Sequence, residues 1–240
     1  MRSVFRQDRP VFLLTGFGPF PGAPRNASSM LIEALARSAP RRLPGFAVHA
    51  ETLPTEWHAG PQILAALLER LEPAVVLHFG VSHRARGFVV ETRARNLRHD
   101  VVDACGEAPE NDCVVSEGPA ELPVMLPTGL IVERLRRKGL PVQVSRDAGG
   151  YLCNAILYHS LAAARRRYLE TGVSRSGGGR GDRIGVRLGV RRGFIHIPDK
   201  LAGAQGGGGR RARLCQLGWE QAVEGGIAIM ELAAGVIASE

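Results

Sequence analysis

Ala74-Val75-Val76-Leu77-His78-Phe79-Gly80 is apolar except for His78 and ends on glycine. A strand with one wet face alternates apolar and polar residues. A strand apolar along its length is covered on both sides, the habit of parallel sheets flanked by helices. Just upstream, Ile63, Leu64, Leu67, Leu68 and Leu71 recur at helical spacing over 61–71. Before that, 46–53 reads as a strand, and Val11-Phe12-Leu13-Leu14-Thr15, stopped by Gly16, as another buried one. Between these two, a helical pattern starts near Asn26 or Ser28, either able to cap it, and runs to about Arg37. Downstream, Phe88-Val89-Val90-Glu91 predicts a strand, 97–120 has no period and reads as a long loop, and 128–138 predicts a helix. A strand at 141–145, a long helix at about 152–169, a strand at 193–197 and a last helix at about 218–238 complete the pattern. Alternating strands and helices predict an α/β fold: a three-layer α/β/α sandwich around a mostly parallel twisted sheet, one domain over 1–240.

The formal charge of +8 is unevenly placed. From Arg165 to Arg213, thirteen Lys or Arg stand against three acids, so the rest of the chain is slightly negative. The excess lies in Gly- and Arg-rich stretches such as Ser176-Gly177-Gly178-Gly179-Arg180-Gly181 and Gly206-Gly207-Gly208-Gly209-Arg210-Arg211. Their composition predicts flexible loops at about 174–192 and 203–213. Neither stretch has aromatic side chains to stack on bases, so specific nucleic-acid binding is not expected. No apolar run approaches the roughly 20 residues that cross a bilayer, and the charged N-terminus lacks a signal-peptide core. A cytoplasmic protein without a membrane partner is expected. The four cysteines, at 105, 113, 153 and 215, fit no zinc spacing, so free thiols and no cofactor are expected.

One of those thiols has a chemical setting. In Val144-Ser145-Arg146-Asp147-Ala148-Gly149-Gly150-Tyr151-Leu152-Cys153-Asn154, a strand ends, a glycine-bearing turn follows, and a helix begins at the cysteine. The partial positive charge of a helix N-terminus favours thiolate, and its unpaired N–H groups can receive an oxyanion. The plain alternative is packing, because Cys153 shares a helical face with Ile156, Leu157, Ser160, Leu161 and Ala164. Cys105 and Cys113 lie in the irregular loop and Cys215 follows an Arg-rich segment, so none of them has this setting. A thiol nucleophile needs a base and a group that orients the base. His196, in the apolar Phe194-Ile195-His196-Ile197 before Pro198, is one candidate base, and His78 is its competitor on the same grounds. Glu91 ends the apolar Phe88-Val89-Val90, where an acid is out of keeping with burial. Residue types alone leave open whether these groups meet.

Taken together these segments resemble the pyroglutamyl peptidase I family, the pyrrolidone-carboxylate peptidases. The likeness is carried by Leu14-Thr15-Gly16-Phe17-Gly18-Pro19-Phe20 with Asn26-Ala27-Ser28, and by Phe79-Gly80-Val81-Ser82 with Glu91 and Asn96. It continues in the Ser-x-x-Ala-Gly-x-Tyr-x-Cys-Asn signature ending at Cys153 and Asn154, and in Gly193-Phe194-Ile195-His196-Ile197-Pro198. The resemblance implies a cysteine exopeptidase that hydrolyses the amide after an N-terminal pyroglutamyl residue through a thioester. It implies Cys153 as nucleophile, His196 as base and Glu91 as the group orienting that base. It also implies a pocket for pyroglutamyl peptides that uses Phe17, Phe20 and Ser82. Relatives occur as monomers and tetramers, so a homo-oligomer fits as well as a monomer.

Two departures bear on the pocket. Many members carry Gly-Gly-Arg where this chain has Ser82-His83-Arg84-Ala85-Arg86-Gly87, and an Arg directly after the acid where this chain has Thr92. The rival readings are a thiol hydrolase of another small N-acyl or lactam-capped amine, and a non-catalytic member binding an acidic partner through its basic loops.

Overall fold

The computed structural model describes residues 9–21, 24–170, 190–201 and 217–236. Among the described residues, eight strands run in chain order: β1 Val11–Phe17, β2 Ala47–Leu53, β3 Val75–Ser82, β4 Phe88–Glu91, β5 Arg93–Arg95, β6 Glu121–Pro123, β7 Val142–Ser145 and β8 Arg191–Pro198. The helices are α1 Ala27–Arg42, α2 Ala59–Leu71, α3 Thr128–Arg137, α4 Leu152–Glu170 and α5 Trp219–Ala234.

Six strands form one sheet in the order β2-β1-β3-β8-β4-β7. The neighbours β2, β1, β3 and β8 are parallel, β4 and β7 are parallel, and the β8–β4 junction is antiparallel. The apolar runs account for the core: β1 is buried at every position and β3 from Val75 to Gly80. Each large apolar side chain sealed there contributes about 1.5–3 kcal/mol relative to exposure. One face of the sheet carries α2 packed on α4, and the other carries α5 packed against α1 and α3. This is the expected α/β sandwich. Among the described residues, no helix is long and apolar enough to cross a membrane.

The differences from expectation are local. Helix α1 begins at the expected cap, where Asn26 Oδ1 accepts from Ser28 N at 3.1 Å, but it runs through Pro40 to Arg42. Proline that late interrupts only the last turn, and Leu43 N closes it on Ala39 O at 2.7 Å. The small antiparallel pair β5–β6 brackets the aperiodic segment and was not expected. That segment is held by side chains acting on backbone. Asn96 accepts from Val114 N and Val115 N and donates to Val115 O and Gly118 O. Asp103 accepts from Trp57 N, Cys105 N and Glu107 N. The loop expected at about 174–192 lies largely outside the described residues, and its last two positions, Arg191 and Arg192, open β8 instead. The loop expected at about 203–213 lies wholly outside the described residues.

Candidate active site

Strand register places the candidate groups on one face of the sheet. Residues directly opposite one another in neighbouring strands point to the same side, and alternate residues along a strand share a face. His196 lies opposite Gly80 on β3 and Val89 on β4. Glu91 lies two residues beyond Val89 and therefore on the same side. The antiparallel β8–β4 junction thus sets a carboxyl beside the imidazole. His196 Nδ1 donates to Glu91 Oε1 at 2.9 Å, with the two groups 7% and 1% exposed.

Cys153 reaches this face from above, on the first turn of α4. The turn before it is tied by its own side chains: Ser145 Oγ accepts from Asp147 N and Asp147 Oδ1 from Gly149 N, each at 3.0 Å. Gly149 has φ +86°, a left-handed conformation that costs glycine nothing. After the turn, Asn154, fully buried, fixes the helix to β5. It accepts from Arg95 N at 2.9 Å and donates to Arg95 O and Leu97 O at 2.8 and 2.9 Å. The Cys153 sulfur hydrogen-bonds the His196 ring, whose Nδ1 is already given to Glu91. Gly80 leaves the room. A Cβ there would stand 2.6 Å from Phe194 Cζ and 3.0 Å from Cys153 Sγ.

Electrostatics follow from this arrangement. Burial pushes the His196 pKa down, but the charge of the Cys153 sulfur and the hydrogen bonds to Cys153 and Glu91 outweigh it, lifting the pKa from 6.5 to about 10. The ring beside the Cys153 sulfur is therefore protonated at neutral pH. His78, the competing histidine, is fully buried deeper in β3. Its Nδ1 lies 2.7 Å from Thr15 Oγ1, and burial, aided by the Arg192 charge, lowers its pKa to about 3. It is a neutral core residue. Cys105 is exposed, Cys113 is half-buried, and Cys215 lies outside the described residues.

Cys153, His196 and Glu91 line a cavity of about 580 Å³, together with Phe17, Phe20 and Ser82. Phe17 is held by its N–H donating to Ser28 Oγ at 3.0 Å and packs against Phe194 at 6.3 Å between ring centroids. Reading the residues one at a time missed Tyr151 and Gly80. Tyr151 lines the cavity, meets Trp57 edge-on at 5.2 Å and donates to Val102 O at 3.3 Å. Burial, then the charges of Asp103 and Cys153, push its hydroxyl up to about 12. The signal for Tyr151 was its place two residues before the nucleophile candidate. Gly80 ends an apolar run and stands in the Phe79-Gly80-Val81-Ser82 segment of the resemblance, but neither signal pointed to the room it leaves for the sulfur.

Known proteins share this chain's sequence pattern and fold. The pyroglutamyl peptidase family model matches residues 11–175. Pyrrolidone-carboxylate peptidase of Gloeobacter violaceus is 35% identical over 187 residues, covering 78% of this chain and 80% of the relative. Human pyroglutamyl-peptidase 1 is 31% identical over 163 residues, covering 67% and 77%. Among solved structures, pyroglutamyl peptidase I of Bacillus amyloliquefaciens superposes with TM-score 0.69 at 25% identity, over 94% of this chain and 98% of that one. A mutant pyrrolidone carboxyl peptidase of Pyrococcus furiosus shares the fold, with TM-score 0.73 at 22% identity and the same coverage. With the family model matched over residues 11–175 and a relative 35% identical over 78% of the chain's length, the chain belongs to the pyroglutamyl peptidase family.

Proposed function

We propose that this chain is a cysteine peptidase that removes an N-terminal pyroglutamyl residue from peptides, with Cys153 as nucleophile, His196 as acid and base, and Glu91 orienting His196. The observation that carries this reading is the unbroken line of hydrogen bonds from Glu91 through His196 to the Cys153 sulfur, set in a cavity with aromatic walls. The pyroglutamyl ring is a small neutral lactam, so Phe17 and Phe20 can enclose it, with Ser82 nearby as a polar contact.

The sulfur anion attacks the carbonyl carbon of the pyroglutamyl residue. Helix α4 starts at Leu152, so the Leu152 and Cys153 amides have no acceptor within the helix and serve the oxyanion. His196 then protonates the departing amine, and the C–N bond breaks to leave a thioester on Cys153. With its proton gone, His196 takes one from water, which attacks the thioester and releases pyroglutamate. Glu91 keeps the Nδ1 proton in place throughout, so that Nε2 does the transfer. A thiolate nucleophile suits a reducing compartment, and we place the protein in the cytoplasm on that ground.

The test is release of a dye from a pyroglutamyl amide, alongside amides of other capped and free amino acids. Only the pyroglutamyl compound should be turned over, and a thiol blocker should abolish it. Cys153→Ala should lose roughly a thousandfold or more in rate. A variant keeping most of its activity refutes the assignment.

A further inference from the structure

We propose that Arg84 makes this enzyme prefer pyroglutamyl substrates that carry a carboxylate on the residue after the scissile bond. The inference rests on the peptidase reading above and adds the substrate class to it. A cavity of about 580 Å³ lies in the range that encloses a drug-sized ligand, well beyond one five-membered lactam. The residue that leaves with the amine therefore also lies against its walls.

The charges of those walls leave one cation unspoken for. Glu91 is taken by His196, and Asp147 pairs with Arg95 at 2.6 Å. Arg84 and Asp199 also line the cavity, and neither forms an ion pair among the described residues. Arg84 follows the C-terminal end of β3 in a turn fixed by Ser82, whose carbonyl accepts from Ala85 N at 3.1 Å and whose Oγ accepts from Arg84 N at 3.3 Å. Ala85 is 4% exposed and anchors the turn, while the Arg84 side chain is exposed. The backbone is thus held at the cavity wall while the Arg84 side chain stays exposed and unpaired among the described residues, and His83 lines the same cavity.

Nothing in the lactam answers that charge, because pyroglutamyl has no ionisable group once its carboxyl is in the amide. A carboxylate on the next residue does, and the guanidinium fork can hold it through two parallel hydrogen bonds. It can come from an acidic side chain at that position or from the free α-carboxylate of a pyroglutamyl dipeptide. Asp199, beyond the end of the neighbouring strand β8, opposes an anion on its own side. The carboxylate is therefore read on the β3 side.

The test measures kcat/KM for pGlu-Glu-amide, pGlu-Ala with a free carboxylate, pGlu-Ala-amide and pGlu-Lys-amide. At low salt at least one of the two anionic substrates should exceed pGlu-Ala-amide by roughly three- to fivefold, the scale of an exposed ion pair, and the margin should shrink as salt rises. Preference for pGlu-Glu-amide alone assigns the contact to the side chain. Preference for the free dipeptide alone assigns it to the terminal carboxylate. Arg84→Gln should bring the ratio to about one, Arg84→Lys should keep part of it, and Arg84→Glu should favour pGlu-Lys-amide. A wild-type ratio of one, or a preference that survives Arg84→Gln, overturns the inference while leaving the peptidase reading intact. Failure to cleave any of the four peptides overturns both.

Discussion

In the proposed mechanism His196 is the residue through which the others act, and pH is the variable that isolates it. Its pKa is raised to about 10, with Glu91 contributing through a hydrogen bond and its charge. If the protonated ring hands a proton to the leaving amine, as proposed, activity should hold through mildly alkaline pH and fall as pH rises through about 10. Glu91→Gln removes the charge, so the alkaline limb of the pH–rate profile should move to lower pH as the rate drops. A limb that stays in place would separate Glu91 from the imidazole. The same raised pKa stabilises the fold by an amount fully present below about pH 6.5 and lost as pH rises through about 10. Gly80 is the second residue-scale test. The Cβ of Gly80→Ala must displace either Phe194 or the Cys153 sulfur. Overpacking of this kind costs about 1–3 kcal/mol, and the loss of dye release should be disproportionate, more than about tenfold, because sulfur and imidazole are separated. Cys105→Ser, at an exposed position outside the cavity, should leave the rate near wild type.

At the scale of elements, the junction of β5 with the start of α4 hangs on Asn154. Its side-chain amide gives and receives three hydrogen bonds, filling the place of a neighbouring strand. Asn154→Ala strands these buried groups and should destabilise the protein by about 2–4 kcal/mol in chemical denaturation. The large elements were legible in the sequence because their signals are repetitive: unbroken apolar runs for β1 and β3, and helical spacing for α2. What was not legible is held by single polar side chains, such as Asn96 and Asp103 in the aperiodic segment, which leave no period to read. The candidate site divides in the same way. The strand-turn-helix around Cys153 and the misplaced acid at Glu91 were visible. Residue types alone did not choose between His78 and His196, since both sit in apolar strands and on the same face, and only the family resemblance pointed to His196. Their difference is depth along the strands: His78 lies opposite Phe194, and His196 lies opposite Gly80, near the cavity.

At the scale of the molecule, the chain meets itself at one antiparallel seam in an otherwise parallel sheet. Glu91 and His196 stand 105 positions apart in the chain, so their 2.9 Å bond forms only once β4 and β8 are paired. The sulfur arrives from a third element, α4, seated on the sheet face that bears them. Trp57, buried against Tyr151 and beneath the Arg98 guanidinium, reports on the same region. Tryptophan fluorescence and dye release should therefore decline together as denaturant is added. A rate that vanishes well before the fluorescence changes would mean that the site loosens independently of the sheet. No fragment of this chain that lacks the seam can be a weakened version of the whole. Proteolytic nicking, truncation or slow synthesis should yield populations of fully competent and fully inert molecules, with partial turnover measuring how many are folded rather than how well each one works.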